Sequence, residues 1–214
     1  MMDHADVRNT GRLSIAAGAV AAGSAVCLAI YFAVGPPFGT INDIGNAATG
    51  VLGATLAWRL RRQVPGPAGS VAAGLALAGA GLAVAGSALV ISGTTTFLLA
   101  GFVSSVGFAG IGVWLMVVNR RGTEAPAWPS RLRALGVAAG AAMALGILCA
   151  PGIVLRIDDL ETAPAWVWIG SVGWLGTYVL YPAWAVWLGL VERRLANRPR
   201  TQEVTTLQPT SEAG

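Results

Sequence analysis

Six apolar runs, each about as long as a helix that crosses a bilayer, leave this chain almost no room for a water-soluble domain. A spanning helix takes about 20 consecutive apolar residues. The runs are Leu13–Val34, Ile44–Leu60, Ser70–Ile91, Phe97–Val118, Leu132–Leu155 and Pro164–Val191. Inside lipid every backbone N–H and C=O must find a partner within the protein, and a helix satisfies its own. The expected fold is therefore all-α: a polytopic membrane protein with six transmembrane helices in a compact bundle. Charge supports this. Only 11% of the 214 residues are charged, against about 25% in a soluble domain. Such a chain cannot cover a water-facing surface, so its partner is the lipid bilayer, not nucleic acid.

The first run resembles a secretory signal, but the apolar part of such a signal is usually about 7–15 residues long. This run is longer, and Pro36-Pro37 stands where cleavage would fall, so it reads as an uncleaved span. The expected organisation is a polar tail over residues 1–12, a membrane domain over 13–191 and a polar, disordered tail over 192–214.

Arginine placement tests the span count. The chain has no lysine, which excludes a retinal Schiff base and a phosphate-binding Walker loop. With six spans and both termini in the cytoplasm, every arginine except Arg156 falls on the cytoplasmic side. The positive-inside rule favours that bias, and a wrong count would scatter the arginines. Tryptophans 58, 114, 166, 168, 184 and 187 fall near span ends, as an interfacial aromatic belt would place them.

Small residues suggest how the helices meet. Gly45, Thr49, Gly53 and Ala57 form one stripe on the second run, and Asn42, Asn46, Gly50 and Ala54 form its neighbour. Gly136, Gly140 and Ala144 repeat the pattern on the fifth. Such stripes let helix backbones approach closely, and they place the second span at the centre of the bundle.

Three segments carry candidate chemistry. The first surrounds Asn42, Asp43, Asn46 and Thr49. Asn42 and Asn46 are four apart and share a helix face, and polar groups in a membrane often mark a pathway or binding site. Its other reading is structural: Thr40-x-x-Asp43 fits a capping box, and the asparagines bond to neighbouring helices. The second is the loop with Arg156, Asp158 and Asp159, whose acids offer oxygen ligands to a divalent cation or simply form a charged surface loop. Arg156 could also pair with Asp43. The third contains Tyr178, Tyr181 and Pro182, a kinked tyrosine-lined helix that could gate a cavity. Cys27 and Cys149 read as packing residues, although a disulfide stays open. They form no metal set, and the only histidine, His4, lies in the N-terminal tail. No catalytic motif, metal-ligand set or cofactor fingerprint occurs.

The segment Pro37–Ile44, together with Tyr181–Gly189, resembles bacterial multi-span membrane proteins with no assigned activity. That resemblance implies the plasma membrane of a bacterium. Three functions stay open. One is a non-enzymatic bundle that binds or passes a small solute or ion through an outward-facing polar pocket. Another is an accessory subunit that binds other membrane proteins or its own copies. The third is a lipid-acting enzyme using Asp43, Asp158 and Asp159.

Overall fold

A computed structural model describes residues 4–121, 128–159, 161 and 163–197, and the regular structure among them is entirely helical. Four rods come first: α1 His4–Val34, α2 Phe38–Leu60, α3 Pro67–Ile91 and α4 Phe97–Arg121. The fifth span is α5 Ser130–Ala144, a 3₁₀ segment at Leu145–Cys149, then α6 Ala150–Val154. The sixth is α7 Ala165–Gly170, α8 Val172–Leu175, a π-helical turn at Gly176–Leu180, then α9 Tyr181–Ala196. Five of these six segments are long and apolar enough to cross a membrane. The exception is α2, which has the length, 23 residues, but carries Asn42, Asp43, Asn46 and Thr49. The chain is an integral, multi-pass membrane protein.

The spans form a closed ring. Each packs against its neighbour in sequence, α9 returns to α1, and α4 also touches α2 across the ring. Glycines set the closest approaches. A methyl group at Gly79 of α3 would strike the carbonyl oxygen of Gly107 on α4, and one at Gly107 would strike that of Gly79. Gly112 on α4 and Gly140 on α5 are related in the same way. Gly11 and Gly18 admit the backbone of α9 to α1. Lipid tails supply no hydrophobic drive between helices, so close van der Waals packing of this kind holds the ring together.

Helix α4 occupies the centre. More of its apolar stretch is buried than that of the four other strongly apolar spans, and it packs against α2, α3 and both of the last two spans. The stripe on α2 placed that helix at the centre, and this needs correcting. Its glycines serve three different neighbours: Gly45 meets Ser24 of α1, Gly50 meets Ala83 of α3, and Gly53 faces Tyr181 and Ile111. Ile41, Ile44, Val51 and Trp58 of α2 remain exposed. Trp114 and Trp184 are core residues rather than belt residues, whereas Trp58, Trp168 and Trp187 keep an exposed face.

Both irregular spans trace to proline. Pro151 has no N–H to give the carbonyl four residues earlier, Ile147, which lies in the 3₁₀ segment. The break therefore starts at Leu145, before the Pro151–Gly152 bend that the sequence marks. Pro182 likewise deprives Tyr178, and the Tyr181 N–H bonds to Gly176, five residues back. The two irregular stretches touch: Gly173 lies against Gly146, and Gly176 against Met143. The fifth span closes at Arg156, which takes a left-handed backbone (φ 53°), while the Ile157 N–H reaches the Gly152 carbonyl at 3.0 Å.

Helices outrun the apolar runs at the arginine-rich end. Residues 4–12 belong to α1, and Thr10 is fully buried. Glu192–Ala196 continues α9 instead of starting a tail, and Glu192 is buried. The rest of the expected tail, from Arg198, lies outside the described residues.

Candidate functional site

Asp43 lies in the second turn of α2, because the helix begins at Phe38 after Gly35-Pro36-Pro37. The capping-box reading of Thr40-x-x-Asp43 fails for that reason. The helix already has a turn behind it, no side chain caps its start, and Thr40 is exposed. Asp43 is 8% exposed, and among the described residues no hydrogen bond or ion pair reaches its carboxylate. Arg156, Asp158 and Asp159 are exposed on the loop after α6. No ion pair joins Arg156 to Asp43 among the described residues, and the Asp159 carboxylate accepts the Glu161 N–H at 2.9 Å. That loop gathers no metal-ligand cluster among the described residues. Cys27 and Cys149 are free thiols.

A narrow cavity opens beside Asp43. Asn42, Asp43 and Asn46 form one wall; α4 gives Ser104, Ser105 and Phe108; the sixth span gives Gly173, Trp174, Thr177 and Tyr178. The space inside is about 30 Å³, room for one or two waters but not for an organic solute. Toward the surface, Asp43 and Phe97 also line a wider depression of about 220 Å³ with Tyr31, Gly39 and Thr40. Asp43 thus stands between an open mouth and a tight interior. Tyr31, Phe32 and Phe97 pack together beside that mouth, with ring centroids 5.6–6.4 Å apart.

The amides are held rigidly. The Asn42 side chain donates to the Ser24 carbonyl and hydroxyl, both at 2.9 Å, and lies 3.5 Å from the Tyr178 hydroxyl. Asn46 donates to the Asn42 side-chain oxygen at 3.2 Å and accepts from Ser24 at 3.1 Å. One serine on α1 therefore pins both asparagines, which buries their polarity at little net cost.

The hydroxyls that line the cavity have a sign. Ser105 gives its proton to the Gly101 carbonyl at 2.7 Å, and Thr177 gives its own to Gly173 at 3.0 Å. Their oxygens can then only accept, and Ser105 already takes the Trp174 indole N–H at 3.1 Å. With the Asp43 carboxylate and no arginine on the wall, the lining suits a positive guest and repels an anion.

Not every candidate residue shares the site. Asn42, Asp43, Asn46 and Tyr178 meet there. Thr49 spends its hydroxyl on the Gly45 carbonyl at 2.8 Å. Tyr181 is buried deeper, stacked on Trp184 with ring centroids 6.1 Å apart, and its hydroxyl has no partner among the described residues. Ser24, Phe97, Ser104, Ser105, Trp174 and Thr177 escaped sequence reasoning. The only signal for them was a small polar residue or an aromatic within an apolar run. Below the cavity floor of Phe108 and Met143, the core is apolar through Ile111, Trp114, Leu115, Leu56 and Trp184, except for the Tyr181 hydroxyl. Past it, at the arginine-rich end, Trp128 donates to the buried Glu192 carboxylate at 2.9 Å and Trp184 to Asn119 at 3.2 Å.

No protein-family model, no curated protein and no solved structure matches this chain.

Proposed function

We propose that this protein is a non-enzymatic helical bundle that takes up a small cation through an outward-facing polar pocket, with Asp43 as the anionic group that receives it. The observation that carries the reading is a buried carboxylate with no donor and no counter-charge among the described residues. A carboxylate set at a narrow mouth in a largely apolar wall is only partly hydrated, and a partly dehydrated charge is costly. Asp43 is therefore poised to take up a proton or a bound cation that arrives from outside. The small interior volume favours a proton with its waters or a bare monovalent ion over an organic solute. Orientation belongs to the same proposal. With the arginine-rich end in the cytoplasm of a bacterial cell, both termini lie inside and the Asp43 mouth faces out.

Infrared difference spectroscopy of the purified protein in lipid nanodiscs tests this. In the wild type, raising the pH or adding sodium or potassium at fixed pH should convert one protonated carboxyl band to carboxylate. Asp43→Asn keeps the side-chain shape and should remove that band. A wild-type spectrum indifferent to both titrations would overturn the reading.

A second reading, an accessory subunit that packs against another membrane helix, has one observation in its favour. Gly74, Ala78, Gly81 and Ala85 form an exposed small-residue stripe on α3, and no neighbour lies within 4 Å of a methyl placed at Gly74 or Gly81. A cross-link between cysteines placed at Ala78 in two copies would support self-association through that face.

A further inference from the structure

We infer that the groove between α3 and α4 at the arginine-rich end is a seat for one anionic phospholipid, its phosphate on Arg120 and Arg121 and its acyl chain along α3. The groove encloses about 580 Å³. Its walls are Val71, Ala72 and Leu75 on one side and Val113, Met116 and Val117 on the other, and Arg120 and Arg121 stand at its end. From Pro67 to Leu75 it runs about 12 Å, at 1.5 Å per helical residue. Val71 and Leu75 are exposed, so the groove lies open to hydrocarbon.

The two charges decide the occupant. Both arginine side chains are exposed, and among the described residues neither guanidinium has a hydrogen bond or an acidic partner. Arg133 already serves the end of α4, with its guanidinium on the Asn119 carbonyl at 2.8 Å and the Arg120 carbonyl at 3.2 Å. Arg120 and Arg121 are therefore left over for something else. An apolar slot that ends in two unspent guanidinium groups matches a molecule with a hydrocarbon tail and an anionic head, because arginine engages phosphate through paired hydrogen bonds. Basic pockets between membrane helices bind anionic headgroups on this principle. A zwitterionic lipid would fill the slot equally but gain less from the charges.

The test is lipid retention by the full-length protein in detergent, measured by native mass spectrometry. The probes are phosphatidylglycerol and phosphatidylcholine with identical chains. Wild type should retain phosphatidylglycerol about thirty-fold better, at roughly 1 kcal/mol for each of the two arginines near the headgroup. Arg120→Gln with Arg121→Gln should erase that preference, and the paired lysine variant should keep most of it. Val71→Trp should lower retention of both lipids and leave their ratio alone. The control is Arg193→Gln with Arg194→Gln, which removes the same charge from the same end. If the control erases the preference equally, general surface charge explains it and the seat is refuted. Equal retention of the two lipids by wild type, or an unaltered ratio in the glutamine variant, would refute it as well.

Discussion

Asn46 and Tyr181 are both buried polar side chains, and removing their polarity should have opposite effects. Asn46→Leu would strand the Asn42 side-chain oxygen, while the Ser24 hydroxyl would keep the Asn42 backbone carbonyl at 2.9 Å. We expect a loss of about 1–3 kcal/mol, a fall of several degrees in the detergent melting temperature. Tyr181→Phe discards a hydroxyl that has no partner among the described residues and should leave the melting temperature unchanged or raise it. Both melts are read from tryptophan fluorescence, and equal losses would show that Tyr181 has a hidden partner. Part of this site was legible at the residue level. The spacing of Asn42 and Asn46 gave their common inward face, because period alone decides it. The role of Asp43 as a cap was misread, since Gly35-Pro36-Pro37 starts the helix one turn earlier than the polar cluster implies. Ser24, Ser105 and Thr177 were not legible. A small hydroxyl looks alike everywhere in an apolar run, and only packing says which of them reaches the polar cluster.

At the scale of helices, three glycines make a graded test of packing. A methyl at Gly107 would strike the Gly79 carbonyl; at Gly53 it would sit 3.4 Å from the Tyr181 hydroxyl; at Gly81 it would meet nothing within 4 Å. Gly107→Ala should therefore destabilise by about 1–3 kcal/mol, Gly53→Ala only slightly, and Gly81→Ala not at all. Gly53→Leu has no space and should join the first group. A thermal melt of the four variants checks the order, and a silent Gly107→Ala would refute the close α3–α4 contact. The rods themselves were readable from apolar length. Their partners were not, because glycine and alanine occur on every face of α3, and the sequence cannot say which face meets α4. The breaks at Leu145 and Gly176 were only half readable. Proline announces a lost hydrogen bond, but neighbouring helices decide whether a 3₁₀ or a π turn absorbs it.

For the whole molecule, the proposed orientation has a direct check. In a background without Cys27 and Cys149, single cysteines go to Thr94 and Ser130, both exposed. An impermeant thiol reagent on intact cells should label position 94 and spare position 130. The reverse pattern would invert the protein and turn the Asp43 mouth inward. The apolar layer beneath the cavity then carries a consequence of its own. The layer of Ile111, Trp114 and Leu56 is apolar but for the Tyr181 hydroxyl, and such a layer should act as an electrical insulator. In the proposed orientation the membrane voltage should fall mostly across it, and the Asp43 mouth should stay near the external potential. Cation uptake at Asp43 should therefore vary little with voltage in proteoliposomes. Passage of one charge through the layer would change by about 2.3 kcal/mol for each 100 mV. Half-saturation that shifts strongly with an imposed potential would mean that the insulating layer lies above Asp43 instead of below it.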